Sequence, residues 1–160
     1  MNVMCSPFSD IKVRSVDVAN FVEEAGQYDL VVCNPPYFSH SQPSKDRSMQ
    51  LAKHTVSLKP ADLFKHVQKL LKEEGRFAVI FPKSECKLFC SAAKAEGFFP
   101  KDVLDVFPQP SYPEIRLMVN FTKKDIGEPD RCDFMIEKSP TRHDYSDEYK
   151  KLTKDFFLRF

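Results

Sequence analysis

Tryptophan is absent from the 160 residues, and glycine is scarce, with only Gly26, Gly75, Gly97 and Gly127. No two of these lie within ten residues of each other, so the chain has no GxG turn of the kind that lets backbone close on a nucleotide. A charge excess is also missing. The 24 basic residues nearly balance 23 acidic ones for a net charge of +1, so a polyanion site, if there is one, must be local. No apolar run approaches the roughly 18 residues of a membrane span, and the N-terminus has no apolar stretch behind basic residues. A soluble, cytoplasmic protein with no membrane partner is therefore expected. The five cysteines form no CxxC pair. Cys86 and Cys90, one helical turn apart, are at most half of a metal site, so reduced thiols and no metal are expected. At 18.5 kDa the chain fits one domain, residues 1–160.

What is present reads as alternating strands and helices. Residues 11–16 alternate apolar and polar as a strand does, and Asp17 stands at the end of that run. VANFVEEAG reads as a short helix closed by Gly26. YDLVVC is a continuous β-rich run typical of a parallel strand covered on both faces, and Asn34 ends it. Residues 38–58 are polar enough for a long loop. KPADLFKHVQKLLKEEG sets Leu63, Phe64, Val67, Leu70 and Leu71 on one helical face, with Pro60 near the start and Gly75 at the stop. RFAVIFP is a further strand, KSECKLFCSAAKAEG a helix ended by Gly97, and FPKDVLDVFPQ and IRLMVNFTK two strands that can pair as a hairpin. The order predicts an α/β fold with a largely parallel sheet, whose ligands bind at the carboxyl ends of strands. The tail from Asp125 is charged and ends in DFFLRF, whose aromatics are expected in a strand or in core packing.

Within LVVCNPPYFSH, residues 30–40, the apolar run stops at Asn34, Pro35, Pro36 and Tyr37. Two prolines at a strand end are by themselves a rigid turn, since neither donates to a ladder and each pushes its predecessor away from helix. The neighbouring Asn and Tyr suit a particular chemistry. An exocyclic purine amine, like an amide nitrogen, has a delocalised lone pair and is a poor nucleophile. Two acceptors for its hydrogens, the Asn side-chain oxygen and the Pro35 carbonyl, favour the pyramidal nitrogen that appears as a methyl group arrives. Tyr37 offers a face for a planar base or amide. No base is needed at the outset, because the proton becomes acidic only once the nitrogen turns cationic.

Asn34-Pro35-Pro36-Tyr37 resembles the [DNS]PP[YFW] motif of S-adenosyl-L-methionine-dependent amino-methyltransferases, which act on adenine N6 in nucleic acid or on glutamine N5 in protein. LAKHTVSL, residues 51–58, followed by a helix and GRFAVIFP, resembles the bacterial tRNA1(Val) adenine-37-N6 methyltransferases, which carry an A-[RK]-[HY]-[ET] stretch at that distance. SPFSDIKV near the start and YSDEYKKLTKDFFLRF at residues 145–160 are similar to segments of the same family. The resemblance implies a Rossmann-like class I methyltransferase fold and S-adenosyl-L-methionine as cofactor. It also implies tRNA as partner, bound by an adenine unstacked from a loop. It gives Asn34, Pro35, Pro36 and Tyr37 the catalytic positions, and Asp17 with Asn34 the cofactor contacts. Tyr37, Phe38, Lys53, His54 and Arg116 become substrate contacts. Apart from the resemblance, Lys45, Arg47, Lys53 and Lys83 fall on loops expected above the same sheet edge and together can form the local basic patch that the net charge hides.

One departure from the family is large. The glycine turn after the first strand has no counterpart, and there is no room before Ile11 for two strands and their helices. The expectation is a truncated fold, the C-terminal part of a methyltransferase domain from the third strand onward. In the family's sheet the first strand lies beside the fourth, so its loss bares the edge of YDLVVC, and an apolar edge invites pairing. The strand at Ile11 can slide onto that edge, another copy or another chain can supply a strand, or the sequence can be part of a longer protein. Three functions stay open at this point: adenine-N6 methylation of tRNA, glutamine-N5 methylation of protein, and a non-catalytic RNA-binding or assembly fragment.

Overall fold

The computed structural model of the chain describes residues 10–21, 25–36 and 58–156. Five strands form one sheet: β1 (Tyr28–Cys33), β2 (Leu71–Pro82), β3 (Phe99–Phe107), β4 (Arg116–Thr122) and β5 (Asp130–Met135). Their spatial order is β1-β2-β4-β3-β5. β1 runs parallel to β2 and β3 parallel to β5, while β4 lies antiparallel between β2 and β3. The expected β3–β4 hairpin is present.

Helix α1 (Pro60–Leu70) connects β1 to β2, and α2 (Cys86–Ala95) follows a 3-10 turn at Lys83–Glu85. Pro60 begins α1, where its missing N–H costs nothing. Leu63, Phe64, Val67 and Leu70 form the buried stripe. The helix stops earlier than its periodicity predicts. Leu71 is already extended and pairs with Tyr28, so LKEEG opens β2 instead of finishing the helix. Gly75 sits where a Cβ would meet the Tyr28 carbonyl oxygen at 2.9 Å, and it permits this close approach of two backbones. Gly97, at φ +74°, closes α2 in the left-handed form and lets the Phe98 N–H reach the Ala93 carbonyl at 2.8 Å.

The core lies between α1, α2 and one sheet face. Phe64, fully buried, meets Phe77 and Phe121 edge-on at centroid distances of 5.2 and 5.1 Å. Phe81 and Phe89 stack at 4.3 Å. Val79, Val103, Leu117 and Val119 fill the space between them.

Four expectations are corrected. No strand forms over residues 11–16, and Ile11, Val13 and Val16 are exposed. A strand exists only through ladder partners, and among the described residues β1 has β2 as its one neighbour. The helix expected over VANFVEEAG is, where described, a 3-10 turn at Val18–Asn20. The charged tail contains β5 and a short helix α3 (Asp147–Thr153), which had not been anticipated. Ser146 caps α3 by accepting the Tyr149 N–H at 3.1 Å, and Asp147 and Glu148 occupy its first turn. Phe156, expected in packing, is 85% exposed, and residues 157–160 lie outside the described residues.

Candidate amine-binding site at the carboxyl edge of the sheet

β1 delivers Asn34 to the carboxyl edge, as the α/β reading predicts, although its residues are half-buried or exposed and not covered on both faces as expected. Asn34 is exposed, Pro35 is buried and Pro36 is exposed. The turn is thus anchored through Pro35, whose carbonyl is the expected second acceptor, while Asn34, the expected first, is exposed. Tyr37, Phe38, Lys45, Arg47, Lys53 and His54 lie outside the described residues.

Arg116 begins β4 and pairs across from Pro82. Cys33 pairs with Val79, so Asn34 is level with Ile80 and two positions short of Pro82. At ordinary strand spacings Arg116 therefore stands roughly 10 Å across the sheet from Asn34 and about 7 Å further along it. Both residues belong to one edge. Asp17 lies off the sheet, with its carboxylate accepting the Ala19 N–H at 2.9 Å as the cap of the 3-10 turn. The strand that was to present it is not formed.

Lys83, expected in a basic patch, is committed elsewhere. Its ammonium lies 2.7 Å from Glu114 and 3.6 Å from Asp105, and the hydrogen bond to Glu114 raises its pKa. Arg131 grips Asp105 with two hydrogen bonds, one of them at 2.7 Å. The Lys83 N–H also reaches the Ile115 carbonyl at 3.1 Å. Lys83, Asp105, Glu114 and Arg131 thus tie the end of β2, the middle of β3, the β3–β4 turn and β5 together, which holds the turn leading into Arg116. The network was not anticipated; its one sequence signal is a carboxylate, Asp105, inside the apolar VLDVF.

The Asp105 side chain is nearly buried, and its carboxyl is held below the usual carboxylate range, first by the Arg131 hydrogen bonds and against the opposing effect of burial. Its contribution to stability is therefore present above about pH 4 and lost as pH falls through the lowered native value. Asp105→Asn is expected to destabilise by roughly 1–3 kcal/mol at pH 7, toward the lower end because Arg131 is half exposed. In denaturant titrations that deficit should shrink at pH 3. An equal deficit at both pH values would assign the effect to packing.

Cys86 and Cys90 place their sulfurs 3.9 Å apart as free thiols. Among the described residues no three His, Cys, Asp or Glu side chains converge as a metal site, and no helix is long and apolar enough to cross a membrane.

A family model described as Eco57I restriction-modification methylase matches residues 6–99, which include Asn34 and β1. A tRNA1(Val) (adenine(37)-N6)-methyltransferase of Parabacteroides distasonis is 32% identical over 99% of this chain and 67% of that protein. The chain belongs to this methyltransferase family. Proteins of the same description from Bacteroides fragilis and Trichodesmium erythraeum are 37% and 32% identical, over 83% and 99% of this chain. The match covers 55% and 66% of those two, so the chain spans between about half and two thirds of its relatives' length. A crystal structure of a predicted O-methyltransferase from Agrobacterium tumefaciens superposes with a TM-score of 0.61 at 15% identity, over 81% of this chain and 52% of that one. The fold is that of the Rossmann-like methyltransferases.

The family resemblance implies S-adenosyl-L-methionine, and the residues present fit only part of a site for it. The chain has no GxG turn, the Asp17 carboxylate caps a turn, and residues 11–16 before it form no strand. Among the described residues the cofactor site is only partly assembled.

Proposed function

We propose that the chain is the substrate-holding part of an S-adenosyl-L-methionine-dependent adenine-N6 methyltransferase acting on tRNA, at adenine 37 of a tRNA-Val type substrate. The observation that carries this reading is the Asn34-Pro35-Pro36 turn at the carboxyl end of β1, anchored by buried Pro35 and displaying Asn34. The cofactor supplies the methyl group. The Asn34 side-chain oxygen and the Pro35 carbonyl accept the two N6 hydrogens of an unstacked adenine, and Tyr37 stacks on its ring. Phe38, Lys53, His54 and Arg116 contact the RNA around it, with Lys45 and Arg47 adding local positive charge. Lys83, neutralised by Glu114 and Asp105, serves to position the Arg116 turn. Cytoplasmic location and a single domain go with this reading. The edge of β1 that is unpaired among the described residues offers a route to completion, by self-association or by a polypeptide equivalent to what the relatives carry beyond the match.

The test supplies the missing pocket covalently. This chain is joined to the unmatched segment of the Parabacteroides distasonis relative, and methyl incorporation into tRNA is measured. The chimera should bind S-adenosylhomocysteine and methylate tRNA, whereas the chain alone gives no saturable heat with that ligand up to millimolar concentration. A folded, ligand-binding chimera that methylates a glutamine of a translation factor and leaves tRNA untouched would replace adenine by glutamine as the substrate.

A further inference from the structure

The turn between β3 and β4, residues 108–115, is braced where a plain connection would be loose. Pro108, Pro110 and Pro113 each fix a backbone φ angle in it. The Lys83 ammonium pairs with Glu114 at 2.7 Å, and the Lys83 N–H reaches the Ile115 carbonyl at 3.1 Å. From the far side, the Gln109 amide donates to Glu137 at 2.6 Å, and the Glu137 N–H reaches the Pro108 carbonyl at 2.9 Å. Across its base the Ile115 N–H bonds the Val106 carbonyl at 2.9 Å, and within it the Tyr112 N–H bonds the Gln109 carbonyl at 3.1 Å. The end of β2, β3 itself and the segment after β5 all restrain a turn longer than the roughly two to five residues that join most hairpins.

What this braced turn displays is an aromatic ring. Tyr112 is 57% exposed, between the exposed Ser111 and Pro113. The turn rises from the carboxyl edge of the sheet, because Arg116, the first residue beyond it, pairs with Pro82 at the end of β2. β1 and β2 are parallel, so this is also the edge that carries Asn34. An exposed ring on a restrained backbone suits an unstacked base. The ring offers a face that any base can use, and the backbone has little ordering left to do on binding. The acid nearest the ring in sequence, Glu114, is paired with Lys83, so its charge opposes a phosphate strand less than a free carboxylate would. A Tyr that merely filled a turn would need none of these ties.

We infer that Tyr112 is a stacking contact for a nucleotide beside the target adenine, and that Lys83, acting through Glu114, positions it. The inference rests on the tRNA reading and narrows it to the bases that flank the adenine. Asn34 and Pro35 address an amine, which every adenine offers, so choice among adenines has to come from contacts outside that grip. Arg116 stands roughly 10 Å across the sheet from Asn34, and the turn lies beyond it. A ring at that remove reaches a neighbour of the adenine and not the adenine itself. Stacking accepts any base but only an unpaired one, so the contact favours a loop over a stem without fixing its sequence.

The test uses the chimera, which contains the full chain, and anticodon stem-loops of tRNA-Val in which 2-aminopurine replaces the base on one side or the other of the target adenine. One of the two probes should be about threefold or more dimmer in the parent complex than in that of Tyr112→Ala, and Tyr112→Phe should keep it dim. Tyr112→Ala should weaken binding about tenfold with the salt dependence of affinity unchanged, because a stack and not a phosphate contact is lost. Lys83→Met should brighten the same probe and Lys83→Arg should not, and Lys83→Met should cost little further affinity once residue 112 is alanine. Circular dichroism establishes that each variant is folded. Probes equally bright in the parent and Tyr112→Ala complexes, or affinities within a factor of about two, would overturn the inference and leave the tRNA reading standing. A probe that stays dim in Lys83→Met would remove Lys83 from the positioning role. A folded chimera that binds S-adenosylhomocysteine but no stem-loop would overturn the tRNA reading, and this inference with it.

Discussion

Asn34→Ala in the chimera is expected to slow methyl transfer to tRNA by about two to three orders of magnitude, with KM for tRNA changed by no more than a few-fold. The size follows from the type of interaction removed. A preorganised polar group aimed at charge that develops during reaction is worth roughly 3–4 kcal/mol in the barrier, whereas RNA affinity is dominated by phosphate contacts elsewhere. The adenine amine gains acidity and positive character only as the new bond forms, so an acceptor at Asn34 stabilises the transition state more than the bound adenine. The variant should fold normally, because Asn34 is exposed and the anchoring Pro35 is untouched. Asn34→Asp keeps an acceptor and should lose less than the alanine variant. Single-turnover methylation separates the chemical step from RNA binding. A rate within a factor of about three of the parent would remove Asn34 from the catalytic role.

Phe64→Ala is expected to cost about 3–5 kcal/mol of stability, enough to unfold a large fraction of a marginally stable chain. Phe64 is fully buried on α1 and touches the rings of Phe77, Phe89, Phe98 and Phe121. Its removal leaves a cavity where helix and sheet meet and takes away three edge-to-face pairs, with Phe77, Phe89 and Phe121, beyond the lost area. Four rings anchored on separate elements cannot all collapse into the gap. Phe64→Leu should recover most of the loss. Urea titration followed by circular dichroism measures both variants; a deficit below 1 kcal/mol for the alanine variant would mean that the core relaxes freely.

Several features were legible because they are local. The stripe Leu63, Phe64, Val67, Leu70 places α1, the Gly97 stop ends α2, and the two prolines end β1 at Asn34, each through the backbone or side-chain pattern of a few consecutive residues. Where local signals competed with distant ones, the distant ones won. LKEEG reads as helix by spacing, yet Leu71 is drawn into β2 because a parallel neighbour, Tyr28, offers it a ladder. Residues 11–16 read as strand by alternation, yet no ladder is offered and no strand forms.

By itself the sequence determined the motif on display: an Asn before two prolines at the end of an apolar run, in a chain with no GxG turn. Only the tertiary structure decided that Lys83 pairs with Glu114 and Asp105, that β4 inserts between β2 and β3, and that Val32 and Met118 are exposed among the described residues. The physical reason is range. Caps, turns and amphipathic stripes depend on contacts within a helical turn, whereas ion pairs between strands, strand order and the covering of a face depend on residues tens of positions apart, whose meeting no short stretch encodes.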